Sequence, residues 1–198
     1  MTEPNDNPRT DAELMAELAR GDMRPLGELY RRHGDVAYRF ICRLLADEPR
    51  AQAEDLCQEV FLAIATSAGR YEDRGRFRSW VLGVAARTTR SWQRRRWLSA
   101  KILKLHGAIG LGMAAPVDGG PEREVACREG VAVAIAGLTP DQRAAFLLQT
   151  AEGMTGAEIA AALGISENAV WQRLKRAHQI AGDTAREVGL FAKKGVRA

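Results

Sequence analysis

Apolar residues recur along this chain at spacings of three and four, and no run of β-branched residues alternates with polar ones. A period near 3.6 puts the apolar positions on one face of an α-helix, so the pattern predicts an all-α protein. Asp11 stands as the N-cap of a short helix through Arg20, which Gly21 ends. A second helix starts near Pro25 and carries Leu26, Leu29, Tyr30, Val36, Ala37, Phe40, Ile41, Leu44 and Leu45 before Pro49 stops it. A third covers about 51–67, a polar turn lies at 69–75, and a fourth helix begins near Arg76. Residues 105–122, LHGAIGLGMAAPVDGGPE, concentrate glycine and proline and read as a linker. Further helices are expected at about 123–136, 140–152, 156–163 and 166–188. The resulting division is a disordered N-terminus (1–10), a helical domain (11–100), a flexible linker (101–122), a second small helical domain (123–190) and a tail (191–198).

Composition is that of an ordinary globular chain, with 198 residues, 46% apolar and 27% charged. The net charge of +4 favours an anionic partner only weakly, because its distribution matters more. From Arg70 to Lys104 eleven basic residues face two acids; from Ala114 to Glu167 three basic residues face eight acids; from Asn168 onward seven face two. Two basic zones flanking an acidic middle suggest two contacts with one long polyanion. Cys42, Cys57 and Cys127 are widely spaced and read as buried thiols of a reducing cytoplasm. The N-terminus lacks the cationic start and apolar core of an export signal, and no run is long and apolar enough to span a bilayer, so no membrane insertion is expected. His33, His106 and His178 lie in unrelated contexts and the carboxylates form no metal-ligand spacing, so neither catalytic nor metal-binding residues are assigned and no cofactor is expected.

Three stretches carry candidate chemistry. On the third helix, AEDLCQEVFLAIA, Leu56, Cys57, Val60, Phe61 and Ile64 share a core arc, whereas Asp55, Gln58, Glu59 and Leu62 share the other. That second face is either a solvated surface or a docking stripe for a basic partner. The fourth helix, RFRSWVLGVAARTTRSWQRRRW, packs Phe77, Trp80, Val81 and Val84 inward. Its other side extends a cationic stripe of Arg87, Arg90, Arg94 and Arg95 beside the neutral groups Thr88, Thr89, Ser91 and Gln93. Arginine offers a flat fork for phosphate oxygens, and an indole such as Trp80 or Trp92 offers a stacking face worth about 1–3 kcal/mol per unpaired base. The combination suits a strand whose bases have left the duplex; the alternative is a basic helix end with Trp80, Trp92 and Trp97 in the core.

Near the C-terminus, MTGAEIAAALGISENAVWQRLKRA has the spacing of a helix-turn-helix. Ala160 permits close helix approach, Gly164 the left-handed turn, and Ser166 caps the second helix. Ile159, Leu163, Ile165, Val170 and Leu174 form its core, while Asn168, Trp171, Gln172, Lys175 and Gln179 point away, as major-groove chemistry requires; a plain helical hairpin is the alternative.

These stretches together resemble the extracytoplasmic-function (ECF) sigma factors, small sigma subunits of bacterial RNA polymerase. The resemblance covers Leu26 to about Arg96 and Val131 to about Glu187. AEDLCQEVFLAI and FRSWVLGVAARTTRSWQRRR are similar to the sigma-two domain, and LTPDQRAAFLLQTAEGMTGAEIAAALGISENAVWQRLKRA to the sigma-four domain. It implies that Asp55, Gln58, Glu59 and Leu62 meet the clamp helices of core polymerase. It implies minus-ten promoter DNA on Arg76, Trp80, Arg87, Thr88, Arg90, Ser91, Trp92, Arg94 and Arg95. Minus-thirty-five DNA would lie on Ser166, Asn168, Trp171, Gln172, Arg173, Lys175, Arg176 and Gln179. An anti-sigma partner, a monomeric free state, a cytoplasmic location and no catalytic activity are further implications. Arg87 replaces an asparagine common in the family, and Trp171 a frequent basic residue. A helix-turn-helix regulator working without polymerase is the competing class; such proteins usually dimerise, and no dedicated dimerisation helix is visible.

Overall fold

The computed structural model describes residues 9–45, 48–105, 135 and 137–187. All regular structure among them is helical. The expected helix at 123–136, most of the linker, Cys127, His106 and both chain ends lie outside the described residues.

Helix α1 (Asp11–Ala19) begins with a capping box: Thr10 accepts a hydrogen bond from the Glu13 amide, and the Glu13 carboxylate accepts one from the Thr10 amide at 2.7 Å. Thr10 is therefore the N-cap where Asp11 was expected, because a threonine followed three residues later by glutamate satisfies two free helix donors at once. Asp11 instead clamps α1 to the next helix, pairing with Arg32 at 3.0 Å and His33 at 2.8 Å. Helix α2 (Pro25–Leu45) opens on proline, whose missing amide is no loss in a first turn, and buries Leu29, Ala37, Phe40, Ile41, Leu44 and Leu45. Leu26 and Val36 are partly buried, and Tyr30 is exposed with its ring edge against Phe61 at 4.8 Å. Its place about 100° around the axis from Leu29 puts Tyr30 at the margin of the apolar stripe.

Helix α3 (Arg50–Ser67) buries Ala53, Leu56, Cys57, Val60, Phe61 and Ile64, the arc expected from sequence. The Cys57 thiol donates to the Gly34 carbonyl at 3.7 Å, and burial pushes its pKa up, which suits a packing residue. A 3-10 turn (Ala68–Arg70) leads to helix α4 (Phe77–Leu105). Helices α1 to α4 form the N-terminal unit. The C-terminal unit comprises α5 (Pro140–Thr150), α6 (Gly156–Leu163) and α7 (Glu167–Glu187), around Leu147, Leu148, Ile159, Val170 and Leu174. Capping boxes of Thr139 with Gln142 and Thr155 with Glu158 start α5 and α6. Burying each large apolar side chain contributes about 1.5–3 kcal/mol, whereas an exposed ion pair contributes about 0–1 kcal/mol. Apolar packing therefore holds each unit, and the ion pairs steer how surfaces meet.

The two units share one continuous core, joined where α6 crosses α4. Gly83 marks the crossing: a Cβ there would lie 2.6 Å from the Ala162 carbonyl oxygen and 2.9 Å from its Cα. Only glycine lets the two helix backbones come this close.

Candidate nucleic-acid interface

The polar arc of α3 is open to solvent. Asp55, Gln58, Glu59 and Leu62 are all exposed, Leu62 to 57%, directly behind the buried arc of the same helix. A groove of about 410 Å³ separates this face from α4, with Glu59, Leu62 and Ala63 on one wall and Arg87, Thr88, Ser91 and Arg95 on the other. Arg95 reaches across it to Glu59 at 3.7 Å and donates to the Ser91 hydroxyl at 3.3 Å.

Along α4 the expected stripe divides by partner, Arg95 and Arg96 meeting Glu59 and Glu48 of the N-terminal unit and the earlier arginines meeting the C-terminal unit. Arg94 and Arg95 are exposed, and Arg96 lies over the partly buried Trp92 ring at 5.3 Å. Trp80 packs with Tyr71 at 4.9 Å and Phe77 at 5.6 Å, which leaves it only partly accessible. Thr89 departs from expectation. It is 1% exposed, with no partner for its hydroxyl among the described residues, because it continues the core arc of Val81 and Ala85 at four-residue steps.

The remaining cations meet the C-terminal unit. Arg76 pairs with Glu158 at 3.0 Å and Arg90 with Asp141 at 2.8 Å; Arg78 pairs with Glu152, and Arg87 donates to the Ala162 carbonyl. Partial burial of the Arg87 guanidinium lowers its pKa from the ordinary arginine value. Sequence reasoning assigned no role to Arg78 or to Arg143, which crosses the other way from α5 to the N-terminal unit. The signal available was the acidic middle of the chain: Asp141, Glu152 and Glu158 are the groups that α4 meets.

In the helix-turn-helix, Gly164 adopts φ +67° and donates its amide to the Ala160 carbonyl. The Ser166 hydroxyl accepts from the Ala169 amide at 3.3 Å, capping α7. Asn168, Trp171, Gln172, Lys175, Arg176 and Gln179 are exposed on α7, with Ser166 exposed just before it. Arg173 is not part of that open face, for it turns back to Asp141 at 3.0 Å. Trp171 is 53% exposed and rests its indole over Gly156, where an added Cβ would lie 2.9 Å from Cζ2.

Comparison with known proteins defines the class. Residues 29–98 match the family described as Sigma-70 region 2, and residues 128–179 the family described as Sigma-70, region 4. RNA polymerase sigma factor CarQ of Myxococcus xanthus is 32% identical over 152 residues, covering 77% of this chain and 84% of that one. ECF RNA polymerase sigma factor SigD of Mycobacterium tuberculosis is 31% identical over 200 residues, covering 89% of this chain and 87% of its own. The chain belongs to the ECF sigma factors, and its function is that of an RNA polymerase sigma factor in transcription initiation. Two solved structures share the fold. CnrH in complex with the cytosolic domain of CnrY has a TM-score of 0.61 at 24% identity, over 89% of this chain and 97% of that one. The sigma factor RpoE in complex with the anti-sigma factor NepR from Bartonella quintana has a TM-score of 0.63 at 18% identity, over 81% and 96%. Among the described residues no helix is long and apolar enough to cross a membrane.

Proposed function

We propose that recognition is divided between the two units, on residues 11–100 and 123–190, with 101–122 connecting them. The α3 face of Asp55, Gln58, Glu59 and Leu62 docks on core polymerase. The outward face of α7 reads duplex DNA upstream through Asn168, Trp171, Gln172, Lys175, Arg176 and Gln179. The cations and indoles of α4 hold the unpaired strand. Unstacking a base step costs a few kcal/mol, and stacking returns about 1–3 kcal/mol per base, so strand capture and phosphate contacts together can offset opening. The chain itself contributes no bond-making chemistry; the polymerase supplies it. An anti-sigma factor, as NepR is to RpoE of B. quintana, is a further proposed partner.

The observation that carries the docking assignment is an apolar side chain, Leu62, standing exposed among Asp55, Gln58 and Glu59 on an otherwise core-forming helix. Replacing Asp55→Lys and Glu59→Lys together inverts the charge of that face without entering the core. Co-purification with core polymerase and run-off transcription should both be lost, with helicity by circular dichroism unchanged. Retained polymerase binding would remove the docking assignment.

A further inference from the structure

The three indoles on α4 differ in how much of their face is open to a base. Trp80 packs with Tyr71 at 4.9 Å and with Phe77 at 5.6 Å. The Arg96 guanidinium lies over the Trp92 ring at 5.3 Å. Both indoles are partly buried against the core. Trp97 is 61% exposed, and Leu98, next in sequence, is 44% exposed. Burial of an indole is among the largest apolar gains open to a fold. A tryptophan left mostly in water beside a leucine, on a helix that buries Val81, Leu82 and Val84, is therefore the informative departure from an ordinary surface.

Helix geometry sets what stands beside Trp97. At about 100° per residue, Trp97 and Leu98 lie one turn beyond Arg94, about 60° to one side of it and about 40° to the other. The three arginines that precede them divide by partner. Arg96 pairs with Glu48, and Arg95 pairs with Glu59 at 3.7 Å and donates to the Ser91 hydroxyl at 3.3 Å. Arg94 is exposed and forms no ion pair among the described residues. One unpaired guanidinium thus shares a helix face with the most exposed of the chain's four indoles. A nucleotide has the complementary build, an anionic phosphate beside a flat base with apolar faces.

We propose that Trp97 is the stacking residue of α4: its indole takes the face of one unpaired base while Arg94 holds the adjoining phosphate, and Leu98 gives apolar surface to the neighbouring nucleotide. This rests on the assignment of α4 to the unpaired strand and names the side chain that makes the stack. Stacking on Trp97 needs no rearrangement of the fold. Trp80 would first have to leave Tyr71 and Phe77, and Trp92 would have to shed Arg96. Every base has a face to stack, so this contact fixes where the strand lies and leaves the choice of base to other residues.

An abasic scan tests this. Core polymerase carrying the full chain is titrated by fluorescence anisotropy against a promoter template with a pre-melted segment, whose unpaired strand holds one abasic site at each position in turn. With the unaltered chain, a position that loses its stack should weaken binding by about five- to a hundredfold. Trp97→Ala should weaken binding of the intact template by the same factor and make one such position insensitive. Trp97→Phe, which keeps a ring, should restore most of both. Because Trp97 is largely exposed, alanine leaves the core untouched, and circular dichroism should show unchanged helicity. Abasic penalties that match at every position between Trp97→Ala and the unaltered chain overturn the assignment. Loss of co-purification with core polymerase in Trp97→Ala overturns it too, because the patch then faces a protein. The reading of α4 as a strand-binding helix fails separately, if Arg94→Ala with Arg95→Ala leaves affinity for the melted template unchanged.

Discussion

Tyr71 shows how a single side chain in the turn before α4 is fixed. Its ring is packed edge-on against Phe77 at 5.5 Å, and its hydroxyl donates to Asp73 at 3.1 Å. Burial disfavours the phenolate, and the hydrogen bond to a carboxylate holds the proton further, so the pKa is pushed up to about 12. An unfolded tyrosine titrates near 10. Because the folded value is the higher one, the neutral phenol contributes stability that is complete below about pH 10 and is lost as the pH rises toward 12. Phenolate absorbance against pH should show a late-titrating tyrosine that shifts to about pH 10 in denaturant. Tyr71→Phe should abolish that late step, and a late step that survives the substitution would assign it to another tyrosine.

At the scale of elements, the contact between α6 and α7 decides how the helix-turn-helix presents Trp171. The indole lies where a Cβ on residue 156 would be, and a planar side chain on the surface can swing aside at little cost. Gly156→Ala should therefore leave thermal stability equal or slightly raised, since alanine favours the first turn of α6. Selection from a randomised promoter library should nevertheless return a different upstream preference, because the indole no longer rests in its slot. An unchanged preference would take Trp171 out of sequence readout. Within elements the sequence was highly legible. The buried arc of α3, the Gly164 turn and the exposed residues of α7 all follow from helical period and capping chemistry, which are local. Legibility fell where a residue's partner is distant in sequence. Thr89 reads from sequence as a hydrogen-bonding group beside the cationic stripe, and Arg173 as a DNA contact implied by the resemblance, but their positions are set by the core arc of α4 and by Asp141, respectively. Arg78 and Arg143 had no local pattern at all, because their partners lie 74 and 99 residues away.

For the whole molecule, the charge pattern along the chain acquires a second meaning. Two basic zones around an acidic middle suggested two contacts with a polyanion, yet the acidic middle is itself a polyanion that reaches the first basic zone. Binding of a single strand to α4 then exchanges one set of ion pairs for another, and such an exchange releases fewer counterions than binding to free cations. Salt dependence reports this directly, since the logarithm of affinity falls with the logarithm of salt by about 0.7 per phosphate neutralised on a single strand. Arg76 and Arg90, paired with Glu158 and Asp141, are the exchanging residues, whereas Arg87 meets a neutral carbonyl; their pairing should flatten the slope by up to about 1.4 units relative to a chain carrying Asp141→Asn and Glu158→Gln. The difference should vanish when Arg76 and Arg90 are both replaced by alanine in both backgrounds. Anisotropy titrations across a salt series measure it, and parallel lines for the Asp141→Asn, Glu158→Gln chain and the unaltered chain would show that those two arginines are equally free for DNA in both.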